Sequence, residues 1–246
     1  MANLLIASPI NAVIFDNDDR VQVSTAPGSI YSPIGIASGA PETRYATATL
    51  VDRCHVLTSQ HIFGTRRSPL GQRLWFSEAP GSTPRLRSAG TVIAAGGMER
   101  FSRPEQDYEA RARDWLLIRL DACLGSVLGS AELSIPANSA ELDHVENAGF
   151  PVDKGLNHGL TVDPSCEVRS VWKLVWLHDC ATRVGNSGGP IFRIVRDSPK
   201  PHLEVYAIES GGWPIGGIHS FNAEFANQAT PVSQILPYIK QYLHNS

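Results

Sequence analysis

The most informative segment of this chain is GNSGGP at residues 185–190, inside the longer run HDCATRVGNSGGPIF. Three glycines surround one serine in a chain otherwise rich in residues typical of strands. This pattern favours a tight turn that presents Ser187 as a nucleophile, with the N–H groups of Gly185 and Ser187 aimed at one point. The alternative is a glycine-rich β-turn without chemistry. A serine hydroxyl acts at neutral pH only with an imidazole to accept its proton and a carboxylate to orient that imidazole.

The composition limits the classes of protein that this chain can be. It has 246 residues, 42% of them hydrophobic and 18% charged, and its formal net charge is −3. Its 21 glycines and 17 prolines are scattered, as expected for many short strands joined by turns. No basic run predicts a nucleic-acid partner. No apolar run approaches the roughly 18 residues that a membrane-spanning helix needs, so we expect no membrane-spanning helix.

Alternation of apolar and polar residues with a period of two dominates the chain and predicts an all-β fold. Strands of the first half are predicted at 44–52, 54–59, 72–78, 91–96 and 114–121. Strands of the second half are predicted at 144–151, 170–179, 189–195 and 203–210. A polar surface loop is predicted at 96–113, and an irregular linker at 122–144.

One helix is predicted, at residues 233–246. Ser233 can cap it, and Pro237 would lie in the first turn, where its missing N–H has no intrahelical partner. The apolar side chains fall on one face, which we expect to pack on the second half. These side chains are Ile235, Leu236, Ile239, Tyr242 and Leu243.

The base is expected among the eight histidines, near the end of a strand. His61 closes CHVLTSQH, where an apolar strand passes into small polar residues, so its side chain would reach a loop at the rim of a barrel. His55 lies within that strand and is expected to be a packed or surface residue. His178 is closer to Ser187 along the chain but lies in the approaching strand, and it is the minor contender.

The orienting carboxylate is expected beside an apolar strand, where it is buried. Asp114 heads the apolar segment DWLLIRLD. A buried carboxylate is costly without a partner, and an imidazole is a suitable one. Asp107 and Glu109 lie in the polar loop before it and are expected to be solvated charges.

The segments VLTSQH, DWLLIRL and GNSGGPIF, in the order His, Asp, Ser, resemble the signature segments of the chymotrypsin-like (trypsin-fold) serine peptidases. The resemblance implies two antiparallel six-stranded β-barrels with the site in the crevice between them. It places the first barrel at 13–125, the linker and second barrel at 126–232, and the C-terminal helix at 233–246.

The resemblance also implies the roles of the site residues. His61 would be the general base, Asp114 the group that orients it, and Ser187 the nucleophile. The N–H groups of Gly185 and Ser187 would form the oxyanion hole.

Finer features resemble the bacterial glutamyl-endopeptidase branch of this family. VIFDNDDRVQV at 13–23 is similar to the mature N-terminal segment of that branch, and GFPVDK at 149–154 is similar to its G-Y-P-G-D-K stretch. Residues 1–12 would then be an N-terminal extension or a propeptide. Asn186 replaces the aspartate that pairs with a freshly cut amine in trypsin-like enzymes, so that activation switch is not expected.

Five residues are expected to line the substrate site. Ser210 matches the family serine that precedes the substrate-pairing strand, and Gly212 matches the glycine that hydrogen-bonds an extended substrate. Thr182 is the threonine that the glutamyl-specific branch places five residues before its nucleophile. Glu209 stands where that branch has a histidine, and Ala181 stands where trypsin keeps an aspartate.

Glu209 therefore departs from the glutamyl-specific pattern. Its carboxylate would repel an acidic substrate side chain, so a preference for glutamate is not expected. The hypothesis is that Glu209 favours a basic or polar substrate side chain. The alternative is that Glu209 faces solvent or pairs with Arg183.

The four cysteines allow two disulfides and show no metal-ligand spacing. Ile62 stands where the family usually has a cysteine beside its histidine. Cys166 and Cys180 flank a hairpin-sized segment and are expected to pair, and Cys54 and Cys123, on neighbouring segments of the first barrel, make the second pair. Four unpaired core thiols are the alternative. The disulfides and the resemblance indicate a secreted or periplasmic protein, although MANLLIASPINAVIF lacks the positive start of a signal peptide.

The expected function is that of a serine endopeptidase, acting by acyl transfer to Ser187 and hydrolysis by water activated through His61. One alternative is a non-catalytic relative that binds peptides along residues 210–212, although such relatives usually lose a triad member. Another is an esterase-like hydrolase with the same triad. A zinc enzyme is disfavoured because the chain has no HExxH motif. We expect a polypeptide substrate, no metal, no cofactor and a monomer.

Overall fold

The computed structural model describes residues 13–39, 45–65, 67–79, 86–101, 108–154, 159–212 and 217–243. Strands dominate these ranges. They are β1 (Ile14–Phe15), β2 (Val21–Gln22), β3 (Ile34–Ser38), β4 (Tyr45–Leu50), β5 (His55–Thr58), β6 (Arg73–Ser77), β7 (Arg87–Ala95), β8 (Leu116–Leu120), β9 (Glu132–Leu133), β10 (Val145–Gly149), β11 (Thr161–Cys166), β12 (Val168–Trp172), β13 (Val175–His178), β14 (Pro190–Val195), β15 (His202–Gly211), β16 (Ile218–His219) and β17 (Asn227–Pro231). The helices are α1 (Tyr108–Arg111), α2 (Gly125–Leu128) and α3 (Val232–Leu243). The predicted all-β class with a C-terminal helix is confirmed.

Six strands of the first half close into an antiparallel barrel in the order β3–β4–β5–β8–β7–β6. Alternation builds these strands, and in β7 every second residue is buried. Leu50, Phe76, Leu116 and Ile118 are fully buried in the core of the barrel. This barrel confirms the prediction for the first half.

The register of the first barrel brings two distant segments to one rim. β5 and β8 are antiparallel neighbours, and Thr58 at the end of β5 lies opposite Leu116 at the start of β8. Residues that follow β5 and residues that precede β8 therefore lie side by side. His61 and Asp114 belong to these two segments.

The second half forms a sheet in the order β12–β13–β17–β15–β14–β10–β11–β2, with β9 pairing in parallel with β15. Only Glu167 separates β11 from β12, so one stretch of chain pairs with β10 at one end and with β13 at the other. The sheet therefore curls back on itself around its own core. The predicted second barrel thus consists of β10, β11 with β12, β13, β14, β15 and β17.

The linker predicted at 122–144 is mostly irregular but contains three short elements. These are α2, β9 and a 3₁₀ turn at Ser139–Leu142. Because β9 pairs with β15, the middle of the linker is hydrogen-bonded to the second barrel.

Residues 13–23 pack with the second half, whereas the sequence predicts them within the first barrel. β1 pairs in parallel with β16, and β2 pairs with β11. Val13 is fully buried, its N–H donates to Asn227 Oδ1 at 2.8 Å, and its carbonyl accepts from Asn227 Nδ2 at 2.7 Å. The predicted extension or propeptide, residues 1–12, lies outside the described residues.

Arg20 holds this N-terminal segment by ion pairs. Its guanidinium lies 2.7 Å from Asp18 Oδ1 and 2.7 Å from Asp153 Oδ2. The hydrogen bond from Arg20, opposed by partial burial and aided by Lys154, holds the pKa of Asp18 well below its ordinary value. The segment is thus tied electrostatically to the second half.

Residues 170–179 form a hairpin, whereas the sequence predicts a single strand. β12 ends at Trp172, β13 begins at Val175, and these two residues face each other. The turn places Lys173 at a φ of 55°, in the left-handed region. The prediction is wrong here because Lys–Leu at a turn carries none of the usual glycine, proline or asparagine signals.

Helix α3 begins at Val232, one residue before the predicted cap Ser233. Pro237 is its sixth residue and lies inside the helix, whereas the sequence predicts it in the first turn. The helix therefore lacks one backbone hydrogen bond at that point. Residues 244–246 of the predicted helix lie outside the described residues.

The apolar face of α3 packs on both halves of the molecule, whereas the sequence predicts packing on the second half. Ile235 and Ile239 are fully buried. They share a core cluster with Trp115 and Leu117 of the first half and Ile208 of the second. The C-terminal helix thus helps to fix the two barrels against each other.

Both predicted cysteine pairs are disulfides, Cys54 with Cys123 and Cys166 with Cys180. The first closes a separation of 69 residues and the second a separation of 14 residues. The alternative of four unpaired thiols is wrong. Within the described ranges, no helix has both the length and the apolar character required to cross a membrane.

Candidate active site

The three side chains singled out in the sequence meet where the first barrel faces the second. His61 Nδ1 lies 2.5 Å from Asp114 Oδ2, and His61 Nε2 lies 3.0 Å from Ser187 Oγ. Asp114 is fully buried, while His61 and Ser187 are each 7% exposed. The arrangement has the geometry of a nucleophile, a base and an orienting group, assembled from residues far apart along the chain.

Asp114 is held so that it can orient the imidazole. Its Oδ1 accepts hydrogen bonds from the backbone N–H groups of Gln60 and His61, at 2.8 and 2.9 Å. Its Oδ2 faces His61 Nδ1. These contacts assign the imidazole proton to Nδ1, so that the lone pair of Nε2 faces the Ser187 hydroxyl.

The turn that carries Ser187 is fixed from both barrels. The Gly185 carbonyl accepts from Thr47 Oγ1 of β4 at 2.7 Å, and the Gly188 N–H donates to the Glu209 carbonyl of β15 at 2.7 Å. Gly185 has a φ of 104°, and a Cβ there would lie 2.2 Å from the Phe150 carbonyl oxygen. Only glycine fits at this position, both for its backbone angle and for the close approach.

Two backbone N–H groups in this turn are available to a substrate. Among the described residues, no acceptor is bonded to the N–H of Gly185 or of Ser187. These are the groups that the sequence predicts as an oxyanion hole. Donors without a protein partner can bind an oxygen that gains negative charge during attack by the serine.

Asn186 has a neutral partner in the interior. It is buried, and its Nδ2 donates to Asn147 Oδ1 at 3.1 Å. An amide pair therefore occupies the position at which trypsin-like enzymes have a carboxylate.

A second Asp–His pair lies in the first barrel, away from Ser187. His55 is buried, and its Nδ1 lies 2.6 Å from Asp52 Oδ2. Asp52 Oδ1 also accepts from the N–H groups of Cys54 and His55, both at 2.7 Å. Within the described residues, no hydroxyl group bonds the other nitrogen of His55. Its position as a packed strand residue agrees with the sequence prediction.

The other predicted site residues lie around the turn of Ser187. Ala181 and Thr182 are buried, and the Ala181 N–H donates to Asp163 Oδ2 at 2.6 Å. Ser210 is buried, with its hydroxyl donating to the Gln228 carbonyl at 3.0 Å. Gly212 is partly exposed and follows the end of β15.

The position of Glu209 shows that one sequence-based alternative, a side chain that faces solvent or pairs with Arg183, is wrong. Its side chain is 1% exposed, and its Oε2 lies 3.1 Å from Nε2 of the fully buried His178. Its Oε1 accepts from the Gly211 N–H at 3.0 Å. Arg183 instead donates to the Gly217 carbonyl at 2.9 Å and lies 3.8 Å from Asp153. The minor contender for the base, His178, is thus a partner of Glu209.

Arg111 is a site residue that the sequence does not reveal. The sequence predicts a surface loop at 96–113, but Arg111 is buried and donates to the Ser210 carbonyl at 2.6 Å. No local signal distinguishes it from a solvated arginine. Glu109 nearby is exposed as predicted, and Asp107 lies outside the described residues.

One group of side chains in the described ranges has the composition of a metal site. Glu132, His202 and Glu204 bring one ligand atom each within 4.8 Å of the others. Glu132 is exposed, and the group lies on β9 and β15 rather than among the candidate triad. Exposed acidic groups of this kind are common without an ion.

The two barrels and the C-terminal helix together identify the fold of this chain. The chain has the trypsin-like serine peptidase fold, and within it resembles the glutamyl-endopeptidase branch, as the sequence predicts. A Glu endopeptidase in complex with MPD shares this fold at a TM-score of 0.66 with 15% identity, over 94% of this chain and 100% of that chain. The protease Anisep from Arthrobacter nicotinovorans matches at a TM-score of 0.62 with 15% identity, over 91% of this chain and 99% of that one. No protein-family model and no curated protein sequence matches the chain.

Proposed function

We propose that this protein is a serine endopeptidase that hydrolyses peptide bonds through His61, Asp114 and Ser187. The observation that supports this most strongly is the 3.0 Å contact between His61 Nε2 and Ser187 Oγ, with Asp114 on the other imidazole nitrogen. A hydroxyl hydrogen-bonded to the free lone pair of an oriented imidazole is the ground state of nucleophilic attack by serine.

The reaction proceeds in two halves. His61 Nε2 takes the proton of Ser187 as Oγ attacks the carbonyl carbon of the substrate, and the imidazolium is stabilised by Asp114. The oxyanion is bound by the N–H groups of Gly185 and Ser187. His61 then gives the proton to the leaving amine, which departs and leaves an acyl-enzyme. Water, deprotonated by the same nitrogen, hydrolyses the ester and regenerates Ser187.

The substrate is a polypeptide that lies in an extended conformation along residues 210–212. This segment continues β15 towards the surface, and Gly212 is partly exposed there. An extended peptide can add to such an edge through main-chain hydrogen bonds. The named neighbours, a Glu endopeptidase and a protease, support a peptide rather than another acyl compound.

The protein works as a monomer in an oxidising compartment, secreted or periplasmic. The two disulfides support this location, because such bonds persist where thiols are not kept reduced. Residues 1–12 are the proposed extension or propeptide. Val13, the first described residue, is already buried against Asn227.

The test combines labelling with turnover. The full chain is treated with a fluorophosphonate, its intact mass is measured with and without reductant, and the labelled peptide is mapped. We expect one adduct on Ser187, two disulfides, and cleavage of a peptide-bond substrate that is lost in Ser187→Ala. Ser170→Ala, a change at an exposed strand position, is the matched control and should keep full activity.

Each alternative outcome has a distinct meaning. Labelling with hydrolysis of esters but not of peptides would replace the endopeptidase with an esterase. Peptide binding without labelling or turnover would indicate a non-catalytic relative. Labelling at any residue other than Ser187, in protein of native melting temperature, would contradict the proposed nucleophile.

A further inference from the structure

The Gly185 N–H, one of the two proposed oxyanion donors, belongs to a peptide group that a neighbouring turn orients. The carbonyl of the same peptide group, that of Val184, accepts from the Val152 N–H at 2.8 Å. In a trans peptide the C=O and the N–H point in opposite directions. The bond to Val152 therefore turns the Gly185 N–H away from residue 152, and no described acceptor is bonded to it.

This peptide group needs such a hold because glycine alone does not fix its orientation. Gly185 has a φ of 104°, and a glycine tolerates a wide range of φ values. Rotation of the peptide plane changes the ψ of Val184 and the φ of Gly185 together. In the reversed orientation, the Val184 carbonyl oxygen would replace the N–H as the group that faces the substrate. An oxygen at that position repels a developing oxyanion, so the reaction requires the first orientation.

The chain leading to Val152 is held from the first barrel. The Phe150 N–H donates to Thr47 Oγ1 at 3.1 Å, and the Phe150 carbonyl accepts from the Tyr45 hydroxyl at 3.1 Å. The Thr47 hydroxyl in turn donates to the Gly185 carbonyl at 2.7 Å. Strand β4 thus fixes the approach to Val152 and the carbonyl of Gly185 in one arrangement.

Ion pairs hold the residues that follow. Val152–Lys154 is a single 3₁₀ turn with no buried residue, so packing alone holds it weakly. Arg20, whose side chain is 1% exposed, donates to the two carboxylate oxygens of Asp153 at 3.1 and 2.7 Å. Lys154 Nζ lies 3.1 Å from Asp18 Oδ2. A bidentate arginine–carboxylate pair fixes direction as well as distance, so the N-terminal segment orients this turn.

We propose that the 152–154 turn holds the Val184–Gly185 peptide group in the orientation that forms the oxyanion hole, and that Arg20 holds the turn. Val152 and Arg20 are thus positioning residues, which act on the reaction through Gly185. The inference rests on the proposed peptidase function, because it names what keeps the oxyanion hole of the same site in order.

Val152→Pro tests the hydrogen bond, because it removes the donor. Val152 is the first residue of the 3₁₀ turn, where a φ of about −60° suits proline. The kcat for a peptide-bond substrate should fall about 10- to 100-fold with KM unchanged within about threefold, because an oxyanion donor acts on the transition state. The fluorophosphonate labelling rate should fall with kcat. Val152→Ala keeps the N–H and is the conservative variant, which should retain kcat within about threefold.

Asp153→Asn tests the ion pair, because it keeps the shape of the side chain and removes its charge. The kcat should fall about three- to tenfold, again with KM unchanged within about threefold. Asp121→Asn is the matched control. It removes the charge of an aspartate that pairs with Arg73 on the exposed surface of the first barrel, and kcat should stay within about twofold of wild type.

The outcomes separate the proposal from the function on which it rests. A folded Val152→Pro protein with the kcat of Val152→Ala would overturn the proposal, and so would a rise in KM at constant kcat. If Val152→Pro shows no cooperative unfolding transition, Asp153→Asn decides, and a kcat equal to that of Asp121→Asn rejects the proposal. Absence of both cleavage and fluorophosphonate labelling in the wild-type protein would instead count against the peptidase function itself.

Discussion

The substitution Asp114→Asn tests how the imidazole is oriented, because it changes one atom without changing the shape of the side chain. The amide oxygen of asparagine can still accept from the N–H groups of Gln60 and His61, now at 2.8 and 2.9 Å from Oδ1. Its NH₂ group then faces His61 Nδ1, which must become the acceptor. The imidazole proton then lies on Nε2 and faces Ser187 Oγ. Because Nε2 no longer has a free lone pair, it cannot accept the proton of the serine hydroxyl.

The size of the effect follows from this change of tautomer. A base that carries its proton on the wrong nitrogen should lower kcat about 10⁴-fold, which corresponds to about 5.5 kcal/mol of transition-state stabilisation. The free energy of unfolding changes much less. Only the charge-assisted hydrogen bond to the imidazole is weakened, at a cost of about 1.5–3 kcal/mol.

The assay measures kcat and the fluorophosphonate labelling rate of each variant, together with the free energy of unfolding in urea. Asp52→Asn is the matched control, because Asp52 makes the same three contacts, two with backbone N–H groups and one with His55 Nδ1. It should lose similar stability and retain kcat within about threefold. A folded Asp114→Asn protein that keeps more than about a tenth of wild-type kcat would refute the assigned role of Asp114.

Three further predictions address the surroundings of the site. Arg111→Met removes the hydrogen bond to the substrate-pairing strand and should lower kcat/KM for a peptide about tenfold, whereas an unchanged value in folded protein would exclude this role. Replacing Cys166 and Cys180 with alanine should lower the free energy of unfolding in urea by about 3 kcal/mol, because the disulfide constrains a 14-residue separation in the unfolded chain. A loss below about 1 kcal/mol would contradict this and would mean that the unfolded chain is already ordered between these two residues. The pKa of Asp18 is lowered by its hydrogen bond with Arg20, so its contribution to stability is present above its unfolded pKa of about 3.9 and is lost as the pH falls through the lower folded pKa. Asp18→Asn should therefore flatten the fall of unfolding free energy below about pH 4, and identical pH profiles would contradict this.

Local patterns in the amino-acid sequence are enough to predict the fold class and the candidate triad. Strand periodicity is a local property, since each residue faces the core or solvent according to its neighbours two positions away. The turn around Ser187 is likewise local, because glycine at 185 is required by a φ of 104° that other residues rarely adopt. His61 and Asp114 were recognisable because each adjoins an apolar strand and matches a family segment.

The surroundings of that candidate triad depend on contacts between segments that are distant along the chain. The contact of Glu209 with His178 depends on β17 lying between β13 and β15 in one register, and the bond from Arg111 to Ser210 joins residues 99 apart. The pairing of residues 13–23 with the second barrel is equally distant along the chain. Such contacts follow from the burial and hydrogen bonding of the whole sheet. A polar residue in a loop or strand carries no local mark of the partner that burial will give it.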